Sequence, residues 1–148
     1  MIKFKIKSMA NEHLDEVALL EKSCFSVPWT KSLLKNEIDN NNSKFLVAVD
    51  ENQQVMGYIG FNYVLDEGYI TNLAVFPEYR GNGVAQELLK NVIDFAYQKK
   101  LKFVSLEVRI TNVAAISLYE KFNFLKVGER KGFYTCPKEN ALIMTRDL

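Results

Sequence analysis

The chain has 148 residues, of which 48% are hydrophobic, and this suits one domain spanning residues 1–148 around a sizeable core. Its 19 Lys and Arg residues nearly balance its 18 Asp and Glu residues, giving a net charge of +1. The charge balance therefore excludes a global field that would draw in nucleic acid or an anionic membrane. No apolar stretch in the sequence is long enough to cross a bilayer.

The cysteines and the single histidine argue against a metal or redox centre. Cys24 and Cys136 form no metal-ligand pattern, so we expect reduced thiols in a cytoplasmic protein. His13 lies in a polar stretch, and we expect its side chain to be solvated. One histidine without an acidic cluster gives little material for a transition-metal site or a Ser-His-Asp triad, so no metal is predicted.

The first half of the chain predicts a strand, two helices and three further strands. Alternating apolar and basic residues predict the opening strand, and apolar residues at helical spacing predict the helices. Thr30 is placed to cap the second helix. The predicted elements are a strand at 1–8, a helix from Leu14 to Phe25, a short helix after Thr30 to Ile38, a hairpin of strands at 45–49 and 55–65, and a strand at 69–76.

The second half alternates helices and strands and ends on two strands. Thr111 or Asn112 can cap the second of these helices. The predicted elements are a helix at 84–97, a strand at 103–108, a helix to Phe122, and strands at 124–128 and 141–145 that flank a Gly-containing connection at 131–134. The order β-α-α-β-β-β-α-β-α-β-β predicts an α/β sandwich on a mixed sheet.

The most informative stretch is the turn between the strand ending at Val75 and the helix starting near Gly83. Gly81 and Gly83 remove Cβ atoms that would block a bulky anion, and the helix start offers unpaired backbone N–H groups. Arg80 adds a fixed positive charge. Hydrogen bonds to a charged oxygen contribute about 1.5 to 3 kcal/mol each, so a few amides could hold a pyrophosphate.

The turn admits other interpretations. Two glycines can simply shape a tight turn. A P-loop is excluded because the turn lacks the required lysine and hydroxyl. A dinucleotide fingerprint is disfavoured because Gln86 stands where a third glycine is needed and five residues separate Val75 from Gly81, although Glu107 falls near the spacing of a ribose-binding acid.

Several motifs together resemble a known enzyme family. The pattern Arg80-x-x-Gly83-x-Ala85, placed after a strand and before an amphipathic helix, resembles the acetyl-CoA signature of the Gcn5-related N-acetyltransferase (GNAT) superfamily. The further blocks at 25–29, 106–112, 115–121 and 130–134 resemble the RimI-type ribosomal-protein-alanine N-acetyltransferase subfamily. One departure is Asn123, where the family usually has glycine; asparagine tolerates the left-handed conformation.

The resemblance implies a fold, a co-substrate and a set of site residues. It implies a mixed, mostly antiparallel central sheet of six to seven strands flanked by about four helices. It implies acetyl-CoA as co-substrate, Glu107 as general base, Tyr119 as general acid, and an acceptor groove bordered by Trp29 and Tyr134. The residues it assigns to the cofactor are Leu73, Ala74, Val75, Arg80, Gly81, Asn82, Gly83, Val84, Ala85 and Asn112.

The residues by themselves leave alternatives open. Tyr119 could be a half-buried core tyrosine, and Glu107 could lie on a solvated strand face. Trp29 and Phe25 are expected to anchor the core. The resemblance implies transfer of acetyl to the N-terminal α-amine of a protein, with a small-subunit ribosomal protein starting with alanine as acceptor. A small-molecule amine as acceptor, and a CoA-binding module without turnover, are the alternatives.

Overall fold

The computed structural model describes residues 2–148 and contains seven strands and four α-helices. The observed order matches the predicted order of helices and strands. The elements are β1 (Phe4–Ser8), a 3₁₀ turn (Asn11–His13), α1 (Leu14–Cys24), α2 (Lys31–Ile38), β2 (Leu46–Asp50), β3 (Val55–Val64), β4 (Glu67–Val75), a second 3₁₀ turn (Pro77–Tyr79), α3 (Val84–Gln98), β5 (Phe103–Arg109), α4 (Val113–Lys121), β6 (Leu125–Thr135) and β7 (Lys138–Asp147).

The strands form one mixed sheet in the order β1-β2-β3-β4-β5-β7-β6. Only β4 and β5 run parallel to each other, and every other neighbouring pair is antiparallel. This confirms the mostly antiparallel, seven-stranded sheet with four helices that the resemblance implies. No helix among residues 2–148 is both long enough and apolar enough to span a bilayer.

The sheet has a hydrophobic cluster on each face because side chains alternate along its strands. In β2, Val47 and Val49 belong to one cluster, whereas Leu46 and Ala48 belong to the other. The cluster that contains Val47 also includes buried residues of α1 and α2. The cluster that contains Leu46 includes buried residues of α3 and α4. The helices therefore cover the sheet in two pairs, one pair on each face.

Local sequence signals explain where the helices begin. The Thr30 side chain accepts a hydrogen bond from the Leu33 N–H at 3.3 Å, as predicted for the start of α2. Of the two candidate caps for α4, Asn112 is the one used, since its Oδ1 accepts from the Ala115 N–H at 3.2 Å. The buried residues of α3 follow the spacing of three and four residues that places side chains on one face of a helix. They are Val84, Leu88, Leu89, Val92, Ile93 and Ala96.

The parallel strands β4 and β5 separate halfway along their length. Their pairing runs from Glu67 opposite Phe103 only as far as Ile70 opposite Leu106. On the other side of β4, the register with β3 shifts at the same level, which leaves Thr71 as an extra, bulged residue. Because a bulge bends and twists its strand, β4 diverges from β5 beyond this point. A cleft therefore opens between the ends of these two strands.

The final hairpin differs from the prediction. Residues 131–134 were expected to form the connection, but they lie inside β6, and the chain reverses after Thr135 instead. Two irregularities in the β6–β7 register, one of them between Arg130 and Tyr134, absorb these residues without ending the strand. Gly132 takes a φ of +63° at this irregularity, which explains the glycine there.

The expectation of a solvated His13 was also wrong. Its side chain is buried, and its Nδ1 accepts a hydrogen bond from the Ala10 N–H at 2.9 Å. Burial lowers the pKa of His13 below its ordinary value. The polar neighbours in sequence did not reveal that this 3₁₀ turn folds its histidine inward.

Candidate active site

A cavity of about 470 Å³ occupies the cleft between the diverging ends of β4 and β5. Its remaining walls come from the end of α1, the α1–α2 loop, α4 and the tip of the β6–β7 hairpin. Six residues singled out from the sequence line it together, namely Trp29, Leu73, Glu107, Asn112, Tyr119 and Tyr134. The fold thus collects residues from five separate segments around one space large enough for a small ligand group.

Glu107 lies on β5 with its side chain 31% exposed. Its Oε2 lies 3.3 Å from Nε of Arg130, whose own side chain is 58% exposed. A pair this open to solvent adds little stability and can be replaced by another partner. The carboxylate therefore remains accessible from the cavity, although it lies inside a strand whose neighbours Leu106 and Val108 are buried.

Tyr119 is buried in the core and also lines the cavity. Its side chain packs on Phe124 with ring centroids 5.6 Å apart. Desolvation, followed by the proximity of Tyr134, raises the pKa of the Tyr119 phenol well above its ordinary value. The phenol therefore keeps its proton at neutral pH.

Arg109 fixes the hairpin tip over the cavity. Its guanidinium donates to the Pro137 carbonyl at 2.9 Å and to Glu139 at 3.1 Å. It also lies over the Tyr134 ring, 4.3 Å from the centroid. The Glu139 carboxylate accepts from the Thr111 hydroxyl and backbone N–H at 2.6 and 2.8 Å, and these bonds lower the pKa of Glu139.

The sequence analysis missed this network. Arg109 lay within a motif block, but nothing in the chain indicated that it pairs with a residue of the last hairpin. Ion pairs between such distant positions depend on the tertiary fold.

A buried carboxylate, Glu21, also lines the cavity and was not predicted from the sequence. Its side chain is 1% exposed and belongs to the buried face of α1. It accepts hydrogen bonds from the Trp29 N–H at 2.7 Å, the Tyr58 hydroxyl at 2.5 Å and the Asn72 amide at 3.3 Å. The available signal was its position, because Val17, Leu20 and Glu21 occur at the helical spacing of buried residues.

The α1–α2 loop only partly follows the expectation of two core anchors. Trp29 is half-buried against Phe45, with ring centroids 5.8 Å apart, and it also lines the cavity. Phe25 is 38% exposed and lies on the cavity wall, so its assignment as a core anchor was wrong. Phe25 directly follows the last residue of α1 and begins a loop, where fewer neighbouring residues cover its ring.

The Gly-containing turn lies at the start of α3. Gly81 and Gly83 take φ angles of +82° and +79°, and a Cβ atom added at either would meet no atom of residues 2–148 within 4 Å. The space beside both glycines is therefore open. The first helical hydrogen bond runs from the Glu87 N–H to the Gly83 carbonyl at 3.1 Å, so the preceding amides have no intrahelical acceptor.

The side chains around this turn are mostly engaged in shaping it. Asn82 Nδ2 donates to the Tyr79 carbonyl at 3.0 Å. Arg80 Nε donates to the Val75 carbonyl at 3.1 Å, which holds the guanidinium beside the end of β4. Ala74 and Val84 are buried, so only their main-chain groups could reach a ligand, and Ala85 is partly buried in the first turn of α3. In the described part of the chain, no three His, Cys, Asp or Glu residues cluster as metal ligands would.

Comparison with known proteins identifies the class. The model of the acetyltransferase (GNAT) family matches residues 14–124, and the chain belongs to this family. It is therefore an acetyl-CoA-dependent N-acetyltransferase, with acetyl-CoA as co-substrate.

The chain is similar to bacterial ribosomal-protein-alanine N-acetyltransferases and shares its fold with a plant protein. It is 36% identical over 129 residues to the ribosomal protein bS18-alanine N-acetyltransferase of Haemophilus influenzae, covering 84% of this chain and 86% of the relative. The crystal structure of the ribosomal-protein-S18-alanine N-acetyltransferase from Escherichia coli superimposes with a TM-score of 0.88 at 26% identity, covering 98% of this chain and 94% of that one. A structure of Arabidopsis thaliana NAA60 in complex with acetyl-CoA shares the fold, with a TM-score of 0.91 at 18% identity and 99% coverage of both chains.

Proposed function

We propose that this enzyme acetylates the N-terminal α-amine of a protein, with an alanine-starting small-subunit ribosomal protein as acceptor. The names of the Haemophilus influenzae and Escherichia coli relatives support this acceptor. The observation that carries the proposal is that Glu107 and Tyr119 line one cavity at the split between β4 and β5. A ribosomal acceptor would place the reaction in the cytoplasm. It would require no metal, nucleic acid or membrane contact, and the single domain 1–148 would suffice.

The proposed position of acetyl-CoA follows from the turn and from the free edge of β4. The unpaired amides at Gly81, Asn82, Gly83, Val84 and Ala85 would bind the pyrophosphate, with Arg80 adding positive charge nearby. Between residues 71 and 75, β4 pairs with β3 but no longer with β5.

The free edge of β4 would accept the pantetheine arm as a further strand would. Leu73, Ala74 and Val75 would supply main-chain groups to this arm, and Asn112 would contact it from the start of α4. The Leu73 amide is suited to stabilise the oxygen of the reacting thioester.

The proposed chemistry is direct attack of the amine on the thioester carbon. The amine attacks when neutral, and Glu107 accepts the proton released as the C–N bond forms. The tetrahedral intermediate then collapses, the C–S bond breaks, and Tyr119 donates its proton to the departing thiolate of CoA. An α-amine has a pKa of about 7.7 to 8.0 against about 10.4 for lysine, so a base of moderate strength suffices for the N-terminus.

The walls of the cavity support a peptide as acceptor. Trp29 and Tyr134 line the cavity from two different elements, the α1–α2 loop and the hairpin, and would border the acceptor peptide. The Glu21 and Glu107 carboxylates on the cavity wall would favour the approach of a positively charged N-terminus.

The direct test supplies the purified protein with acetyl-CoA and an alanine-starting ribosomal peptide, and follows free thiol release and peptide mass. The same peptide with a blocked N-terminus, and a polyamine, serve as comparison substrates. We expect acetylation at the α-amine only. Faster acetylation of the polyamine would contradict the choice of acceptor, and CoA binding without any product would contradict turnover altogether.

Two conservative substitutions test the proposed catalytic residues. Glu107→Gln and Tyr119→Phe keep the shape of each side chain but remove the proton acceptor or donor, and we expect kcat to fall by about 10²- to 10⁴-fold for Glu107→Gln. Glu129→Gln and Tyr97→Phe make the same changes at exposed positions outside the cavity and should leave kcat unchanged. Full activity in both cavity variants would refute the assigned roles.

A further inference from the structure

Asn72, a residue of the cavity wall, has an amide oxygen without a hydrogen-bond partner among residues 2–148. Asn72 is 8% exposed and lines the cavity beside Leu73. Its Nδ2 donates to Oε2 of Glu21 at 3.3 Å. Its Oδ1, the unpaired atom, is buried. Buried polar atoms in folded proteins are nearly always paired, so an exception next to a binding cavity points to a ligand.

The orientation of the Asn72 amide is fixed by its neighbour. Only the NH₂ group can donate to the Glu21 carboxylate, and turning the amide over would place its oxygen against a carboxylate oxygen. Glu21 is itself held by the Tyr58 hydroxyl and the Trp29 N–H. The unpaired oxygen of Asn72 is therefore part of a rigid cluster that joins β4 to the α1–α2 loop.

The position of this cluster selects the type of ligand. Asn72 contacts α1, so it faces the side of the sheet from which the α1–α2 loop extends over the cavity. A buried carboxylate close by makes the surroundings negative and therefore favours an N–H donor, neutral or cationic, over an acceptor group. Asn72 and the proposed base Glu107 line the same cavity from neighbouring strands.

We propose that Asn72 Oδ1 accepts a hydrogen bond from an N–H in the first two residues of the substrate protein. The donor is either its α-amine or its first peptide N–H. This inference rests on the proposed function and adds an acceptor-binding residue to it. Glu21 acts through Asn72 as a positioning residue, because it holds the amide in the accepting orientation.

The test compares Asn72→Leu with a matched change at Asn62. Leucine is similar in size to asparagine but has no oxygen that could accept a hydrogen bond. The Asn62 Nδ2 donates to Glu37 Oε2 at 3.0 Å, an equivalent Asn–Glu contact that lies outside the cavity. Loss of one hydrogen bond to the peptide should raise the acceptor KM of Asn72→Leu about threefold to tenfold. The acetyl-CoA Kd from calorimetry should stay unchanged, and Asn62→Leu should change neither constant.

A second substrate distinguishes the two possible donors. In an acceptor with an ester in place of its first peptide bond, the peptide N–H is absent. If this N–H is the donor, Asn72→Leu will raise the KM of the amide peptide but not that of the ester. If the α-amine is the donor, the substitution will raise both. If thermal melting shows that Asn72→Leu is not folded, Asn72→Ala replaces it in the test. This variant also lacks the amide oxygen and adds no bulk.

Three results would overturn the inference. Suppose that the wild-type enzyme acetylates peptides but folded Asn72→Leu or Asn72→Ala has an unchanged KM for the peptide. This result would refute the inference about Asn72 and leave the proposed function standing. A raised acetyl-CoA Kd with an unchanged acceptor KM would assign Asn72 to the cofactor instead. A wild-type enzyme that acetylates no peptide would remove the proposed function and this inference together.

Discussion

Replacing Gly83 by alanine tests whether the turn before α3 binds the pyrophosphate of CoA. Gly83 has a φ of +79° and ψ of 14° at the N-cap of α3, and an added Cβ would contact no atom within 4 Å in the described part of the chain. The substitution therefore creates no clash within the free protein. Its cost in the free energy of unfolding comes from the left-handed conformation alone, about 1 to 2 kcal/mol.

The effect on cofactor binding should be larger than the effect on stability. The new methyl group would fill the open space through which an anion approaches the amides of the turn. Loss of one hydrogen bond to a charged oxygen costs about 1.5 to 3 kcal/mol, which corresponds to roughly a 10- to 150-fold rise in Kd. Loss of more than one such bond would raise Kd further.

Gly132→Ala is the matched control. Gly132 has a φ of +63°, and its added Cβ would lie 3.5 Å from Lys138 Cε, an ordinary contact. The control should therefore lose a similar free energy of unfolding without losing affinity for CoA. Urea denaturation would measure stability, and isothermal titration calorimetry with CoA would measure Kd. Wild-type affinity in folded Gly83→Ala would refute the proposed pyrophosphate site.

Two further predictions concern the buried histidine and the hairpin tip. Because burial lowers the pKa of His13 below its ordinary 6.5, the unfolded chain binds this proton more tightly, and the free energy of unfolding should fall as pH decreases from 6.5 towards the folded pKa. Urea denaturation at about pH 7.5 and about pH 5.5 should show a smaller pH effect for His13→Gln, and an equal effect in both proteins would contradict this reasoning. Arg109→Lys keeps the charge but loses the planar contacts to Tyr134, Pro137 and Glu139, so acceptor KM should rise several-fold while CoA affinity is retained. Steady-state kinetics with the peptide would measure this change, and an unchanged acceptor KM would mean that the hairpin tip does not shape the groove.

Much of the fold could be predicted because its signals are local. Helical periodicity located α3, and Thr30 and Asn112 act as caps at the positions where the sequence placed them. The exception, the hairpin connection, shows the limit of such signals. Gly132 was taken to mark a turn, but a glycine can equally serve an irregularity within a strand. Residues near each other in the chain do not reveal which of these occurs.

The sequence by itself determined the order of the elements, the glycine turn and, through its motifs, the family. The elements and the turn each depend on residues within a short segment, where spacing and backbone preference act directly, and the family is indicated by several such segments together. Only the tertiary structure decided that Glu107 and Tyr119 share a cavity, because the separation of β4 from β5 arises from a bulge against a third strand. The Glu21–Asn72 contact joins residues 51 positions apart, and burial of such polar groups is settled only when helix and sheet pack together.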